Sequence, residues 1–198
     1  MNNQTIELYT DGSCIANPGP GGTAYLIRYH TTKDNQPHTE VIEESTGYRS
    51  STNNRMEVLS AIQGVEVILN GIANQTYQGN KINLMSDSGY FCDANNKGWL
   101  TKWASNNWMT SGGYTFKTKD GREQTTKSKP VSNRDLWEQW LSISNRARAM
   151  AVNIEIAHVY GHSGHEWNER CDKLAKSASS RGDGYLVDEG YEQSRMRG

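Results

Sequence analysis

The stretch YTDGSC, residues 9–14, decides how the rest of the chain is read. It continues an apolar-leaning run, Ile6 to Tyr9, and the pattern predicts a first strand over residues 5–10. That strand delivers one carboxylate, Asp11, followed at once by Gly12 and Ser13. A carboxylate inside a strand is costly unless it is paired or holds a metal. Gly12 leaves room for another backbone to come close. Taken alone, the stretch reads as an acidic turn at a strand end. Three later carboxylates, Glu57, Asp87 and Asp172, change that reading.

Working outward, NPGPGG (residues 17–22) is rich in turn formers and predicts a sharp connection. Residues 23–29 and 39–46 predict a second and a third strand, with TTKDNQP as a hairpin loop between them. Three strands with short connections suggest an antiparallel meander. Beyond them, Val58, Ile62, Val65 and Leu69 recur on one helical face. Thr52, Asn53 or Asn54 can cap that helix, and Gly71 follows its expected end. Glu57 falls in its first turn, where a surface glutamate is also favoured by the helix dipole.

Residues 82–86 predict a short strand ended by Asp87 and Ser88, with Ser88 capping a helix to about Asn96. The carboxyl end of a sheet strand is where α/β folds place their ligands. Trp99, Trp103 and Trp108 crowd the next segment, and Lys117, Lys119, Arg122, Lys127 and Lys129 follow. Aromatic rings beside a basic run suit nucleic acid through stacking and phosphate contact. They equally suit a tryptophan-rich mini-core beside a solvated hairpin turning at Asp120-Gly121. Residues 133–150 predict a helix capped by Asn133, with Leu136, Trp140, Ile143 and Ala147 on its buried face. Residues 152–159 predict a strand. The segment GHSGHEWNERCDKLAKSA then enters a final helix on which Asn168 and Asp172, four apart, share a face. From Ser179 the chain turns polar and Gly-rich, and residues 181–198 are expected to form a mobile tail. The βββαβαααβα-like order suggests an α/β fold, a mixed sheet with helices on both faces.

The bulk numbers set bounds. A length of 198 residues fits one domain, and apolar residues are 34% with a mean hydropathy of −0.82. No run approaches the roughly 18 consecutive apolar residues of a membrane span, and MNNQTIELYT does not read as a secretion signal. Three cysteines, Cys14, Cys92 and Cys171, lack CxxC spacing and suggest free thiols in a reducing, cytoplasmic setting. A net charge of −1 confines any nucleic-acid binding to a local patch.

Each of the four carboxylates lies at a strand or helix edge. If they converge, repulsion calls for cations. An all-oxygen donor set points to Mg²⁺ or Mn²⁺, and no Cys or His pair offers zinc spacing. There is no P-loop and no GxGxxG, and GHSGH is not a nucleophile elbow. Two hard cations on carboxylates can activate water and stabilise the leaving oxygen of a phosphodiester.

YTDGSC with NPGPGG, TNNRME, SDS and GHSGHEWNERCDKLA, in this order across about residues 5–180, resemble type 1 ribonuclease H. The resemblance implies the ribonuclease H fold: a five-stranded mixed sheet, first three strands antiparallel, flanked by helices. It places the domain over residues 1–180, with an insertion at about 110–128. It implies hydrolysis of the RNA strand of RNA–DNA hybrids with Mg²⁺, or Mn²⁺ in its place, leaving 5′-phosphate and 3′-hydroxyl ends. By that resemblance Asp11, Glu57, Asp87 and Asp172 are the metal-binding carboxylates, and His162 is a loop histidine assisting proton transfer or product release. Cys14, Asn17, Thr52 and Asn54 match positions that touch the substrate backbone, and Trp99, Trp103 and Asn168 are further substrate-contact candidates. Two positions depart from the family. Gly89 stands where the family has a glutamine. Residues 104–107, ASNN, stand where it often has basic residues, so the charge lies in the insertion instead. The insertion is expected to form a mobile hairpin adding non-specific affinity for the hybrid. A monomer free of membrane contact is expected. The rival readings are a non-catalytic hybrid-binding module and a metal nuclease acting on DNA.

Overall fold

The computed structural model describes residues 5–161 and 164–196, Lys33 by its backbone only. Alternation along the first strand, β1 (Thr5–Cys14), sends Ile6 and Leu8 to one face of the sheet and Tyr9 to the other. β1 pairs antiparallel with β2 (Gly19–Lys33), which pairs antiparallel with β3 (Gln36–Ser51). Helix α1 (Asn53–Ala73) then crosses one face and leads to β4 (Lys81–Ser86), parallel to β1. Helices α2 (Gly89–Asn96) and α3 (Trp99–Ser105) follow. A two-stranded hairpin, β5 (Thr115–Lys117) and β6 (Glu123–Thr125), precedes α4 (Arg134–Ala149). The last sheet strand, β7 (Asn153–His158), lies parallel to β4, and α5 (Glu166–Ser179) and α6 (Glu189–Met196) complete the chain. The main sheet has the order β3-β2-β1-β4-β7, mixed, with its first three strands antiparallel, as expected from the resemblance.

The two faces differ in size. Ile6, Leu8, Ile27, Ile82 and Leu84 pack against the buried stripe of α1 and against Phe91, Trp137 and Trp140. On the other face Tyr9, Ala24 and Leu26 meet Cys171 and Ala175 of α5. Val58, Ile62, Val65 and Leu69 are all buried, so the helical period of α1 was read correctly. α1 is nevertheless long and apolar enough overall to match a membrane span by length and composition, its 21 residues reaching a mean hydropathy of 1.3 in their most apolar window. It is instead the core helix, laid on β1 and β2 and against α4.

Several boundaries move. β1 runs on to Cys14 because β2 keeps pairing with it through Gly12↔Thr23 and Cys14↔Gly21. The β2–β3 connection shrinks to Asp34-Asn35, both at positive φ, the geometry of a two-residue hairpin turn. α1 continues past Gly71 to Ala73, and Gly71 serves packing instead of ending the helix, since the Tyr77 ring lies where a side chain at 71 would stand. Asn133 precedes α4 but does not cap it. It sits at φ 59°, and its amide donates to the Tyr90 hydroxyl at 3.3 Å.

The larger correction concerns residues 181–198, expected as a loose tail. The described part of this segment is docked. Leu186 exchanges backbone hydrogen bonds with Gly47 and Arg49 of β3, and Tyr191 is buried. Asp188, also buried, accepts from Ser51 Oγ (2.6 Å) and from Arg55 Nε and Nη2 (both 2.7 Å). The same guanidinium donates to both carboxylate oxygens of Asp135 at 2.8 and 2.6 Å. A buried guanidinium needs such partners, and the chain end supplies one of them.

Candidate active site

The parallel register of β1 and β4 ends at Thr10↔Ser86. Asp11 follows Thr10 within β1 and Asp87 follows the last residue of β4, so topology sets two carboxylates side by side at the carboxyl ends of two neighbouring central strands. Glu57 joins them through backbone contact. A Cβ on Gly12 would overlap the Glu57 nitrogen and the Met56 carbonyl carbon, so the first turns of α1 rest on β1 at that glycine. Asp172 comes from α5, which covers the opposite face of the sheet.

The charges of Asp87, Asp172 and Glu57 all bear on Asp11. Burial, then the Asp87 charge, with smaller parts from Asp172 and Glu57, pushes the Asp11 carboxyl up to about 8 against the opposing pull of the Gly12 N–H. Burial likewise raises Glu57. Its bond from Ser88 works against the rise and the Asp87 charge adds to it. Local donors hold the flanking carboxylates. Asn53 Nδ2 donates to Glu57 Oε1 at 2.6 Å, and the Ser88 hydroxyl donates to Glu57 Oε2. Lys176 Nζ donates to Asp172 at 2.8 Å, and Asn168 Nδ2 donates to Asp87 Oδ2 at 3.3 Å. Asp11 accepts from the Gly12 N–H at 2.7 Å. Among the described residues, no three His, Cys, Asp or Glu side chains are drawn tightly enough to hold one ion.

The donor set nevertheless fits a hard divalent cation. All four groups are carboxylates. The Asn168 side-chain oxygen, buried beside Asp87, has no hydrogen-bond partner. Burial and the neighbouring carboxylate charges raise Asp11, and a bound cation would offset both.

The other predicted positions divide. Cys14, Asn17, Thr52 and Asn54 gather at the amino end of α1. Asn17 Oδ1 accepts from the Asn53 N–H at 3.2 Å, Ser51 pairs with Gly19 next to that loop, and Asn54 is exposed. Asn168 belongs to the carboxylate cluster. Trp99 and Trp103 lie on α3, with ring centroids 6.2 Å apart and Trp103 packed on Trp137. They form a separate surface, half exposed and half part of the core. His162 falls outside the described residues. Asn53, Ser88 and Lys176 were not singled out as site residues. Asn53 and Lys176 each stand four residues from a site carboxylate on one helix, a spacing that could have signalled them. The Ser88–Glu57 bond joins different elements and left no such signal.

Comparison with known proteins agrees with this architecture. The family profile described as RNase H matches residues 3–180. The chain is 37% identical over 175 residues to the Ribonuclease H of Caldanaerobacter subterraneus subsp. tengcongensis, covering 88% of this chain and 90% of the relative. It is 36% identical over 190 residues to that of Idiomarina loihiensis, covering 96% and 97%. Among solved structures, LC11-RNase H1 in complex with RNA/DNA hybrid superposes with a TM-score of 0.54 at 20% identity, over 89% of this chain and 97% of that one. The foamy viral protease-reverse transcriptase in complex with RNA/DNA hybrid gives 0.62 at 19% identity, over 90% of this chain and 20% of that one. On the family profile and these relatives, the chain belongs to the ribonuclease H family of metal-dependent endonucleases.

Proposed function

We propose that this chain hydrolyses the RNA strand of RNA–DNA hybrids, using Mg²⁺ or, in its place, Mn²⁺, and leaves 5′-phosphate and 3′-hydroxyl ends. The observation that carries the reading is the edge-on meeting of Asp11 and Asp87, with Glu57 brought in over Gly12 and Asp172 from α5. The solved complex of LC11-RNase H1 with an RNA/DNA hybrid supports the substrate class.

Asp11, Glu57, Asp87 and Asp172 would hold the cations, which when bound supply an activated water and neutralise charge on the leaving oxygen. The chain's own residues do the rest. Ser88 and Asn53 fix the Glu57 carboxylate, and Asn168 fixes that of Asp87, so the ligands are oriented before substrate arrives. The carboxylates lie at the carboxyl ends of β1 and β4, next to the α1 amino end. There Asn54 and the Cys14–Asn17 loop could meet sugar and phosphate, and a 2′-hydroxyl offers them both donor and acceptor. His162 would move the proton or release product from its Gly-flanked loop. Three thiols, none in a disulfide among the described residues, support a reducing cytoplasmic setting, and we take the chain to act as a monomer away from membranes.

The test is cleavage of matched RNA–DNA, RNA–RNA and DNA–DNA duplexes with Mg²⁺, Mn²⁺ or EDTA. Metal-dependent cutting of the RNA strand of the hybrid alone is expected. Cutting of duplex DNA at the same rate would replace this reading with a DNA nuclease. Binding without turnover would replace it with a passive hybrid-binding module.

A further inference from the structure

The insertion forms a defined arm. Beyond the three paired residues of each strand, Thr126 N–H donates to Tyr114 O, Gly113 N–H to Thr126 O and Thr110 N–H to Lys129 O, each at 2.8 Å. Met109 bridges Pro130 at the base. The register fixes the faces: Phe116 stands opposite Gln124, and Lys117 stands opposite Glu123 on the other side. On the Phe116 face a groove of about 530 Å³ is lined by Ser111, Phe116, Gln124, Thr126, Lys127 and Lys129, among others. No acidic side chain lines it. Neither Lys127 nor Lys129 has an ion pair among the described residues, whereas Arg122 at the tip is neutralised by Asp120. Phe116 is 41% exposed, in a chain whose net charge is −1. Ser111 also lines the neighbouring cavity beside Trp99, Lys102 and Trp103, so the groove opens from the tryptophan surface of α3.

We infer that this groove binds a single-stranded nucleic-acid extension flanking the hybrid duplex. The claim rests on the hybrid-nuclease reading for the duplex, but the groove argues for the single strand on its own. Two unpaired ammonium groups suit successive phosphates, and hydroxyls and an amide suit base edges and sugars. An exposed aromatic ring adds stacking, and stacking requires a base face not already covered by its neighbours in a helix. A duplex backbone would use the lysines and leave the ring idle, as would an acidic peptide.

Two measurements decide it. In EDTA, labelled dT15 followed by fluorescence anisotropy should bind the whole chain. Phe116→Ala and the double variant Lys127→Ala/Lys129→Ala should each weaken it at least fivefold. Lys117→Ala, on the opposite face, should stay within twofold. With Mg²⁺, a hybrid carrying a ten-nucleotide single-stranded overhang should show a KM roughly 3- to 10-fold below that of its blunt form, an advantage both groove variants abolish. The double variant should also flatten the salt dependence of dT15 binding by up to about 1.5 units of slope. No overhang advantage and no dT15 binding would overturn the inference. Equal weakening of blunt and overhung hybrids would assign the arm to duplex, and competition by polyglutamate as strong as by dT15 would assign it to an acidic partner. If wild type cuts no hybrid, the nuclease reading falls, while dT15 binding still decides the groove.

Discussion

Asp11 is almost buried, yet the donor it meets among the described residues is the N–H of its own neighbour, Gly12. Its folded-state carboxyl titrates near 8, far above its ordinary value of 3.8. A carboxyl raised on folding stabilises the protein fully below its unfolded value, and that contribution is lost as pH rises through the folded one. The metal-free protein should therefore lose stability between about pH 4 and pH 8. Each unit is about 1.4 kcal/mol, and coupling among the carboxylates reduces the realised sum to a few kcal/mol. Asp11→Asn should abolish turnover and raise Tm in EDTA at pH 8 by roughly 4–10 °C, with little change at pH 4. Thermal scans at both pH values check this, and a lower Tm at pH 8 would contradict it. Asn168→Ala frees the Asp87 carboxylate and should weaken Mg²⁺ binding ~10- to 100-fold, read by calorimetric titration. At this scale the sequence was informative where a motif names a residue: it singled out Asp11, Glu57, Asp87 and Asp172, and the charges of the last three bear on Asp11. It was silent on Ser88, which the pattern marks only as a helix cap. Ser88 does cap α2, accepting from the Phe91 N–H at 3.1 Å, and its own proton goes to Glu57.

Among the elements, α1 carries the site because it touches β1 at a residue without a side chain. Gly12→Ala would drive a methyl into the Glu57 backbone. It should cost about 1–3 kcal/mol or more, as overpacking does, and lower kcat by over a hundredfold. Urea denaturation and steady-state kinetics would show both, and an unperturbed kcat would mean that Glu57 is placed by something else. The amino end of α1 is also held from outside by Arg55 and Asp188. Burial works to raise the Asp188 carboxyl, but the bonds from Arg55 and Ser51 and the guanidinium charge outweigh it and hold it below its usual range. A depressed carboxyl lends stability above its unfolded value and loses it as pH falls through the folded one, so this clasp loosens only in acid. Asp188→Ala leaves a buried guanidinium short of a partner and should cost roughly 3–5 kcal/mol, read by denaturant midpoint. None of this was legible beforehand. Polar composition after Ser179 looks the same whether a segment is solvated or docked, and one ion pair with Arg55 decides between them. Helical periodicity was legible in α1, α4 and α5 because each buries one continuous stripe. The ends were not, because Tyr77 against Gly71 and β2 against Ser13 are tertiary contacts.

For the whole molecule, the three thiols report on the fold. Burial, with nearby carboxylate charge, pushes Cys14 up to about 11 and Cys92 up to about 12, and burial in the sheet–α5 core raises Cys171 well above the usual thiol value. At pH 7.5 iodoacetamide should label native protein slowly, at Cys14 first, and all three only on unfolding. Rapid labelling of Cys171 by mass spectrometry would show that α5 opens. The fold class was readable at this scale because strand, helix and motif order agree along the chain. The arm at 110–129 was readable as a charged hairpin turning at Asp120-Gly121, but its groove was not, since that depends on cross-strand register.

The carboxylate cluster draws on β1, α1, β4 and α5, from near one end of the chain to near the other. A divalent ion held there would act as a reversible cross-link between segments that are remote along the chain. It can be closed only when the entire sheet has assembled, so a partly folded chain, or a fragment, has nothing with which to chelate. Saturating Mg²⁺ should therefore stabilise globally, by about 2.7 kcal/mol at a hundred times its dissociation constant. Amide exchange should slow in all four elements together, and protection confined to one strand would show that the ion rests on fewer ligands than the four named here.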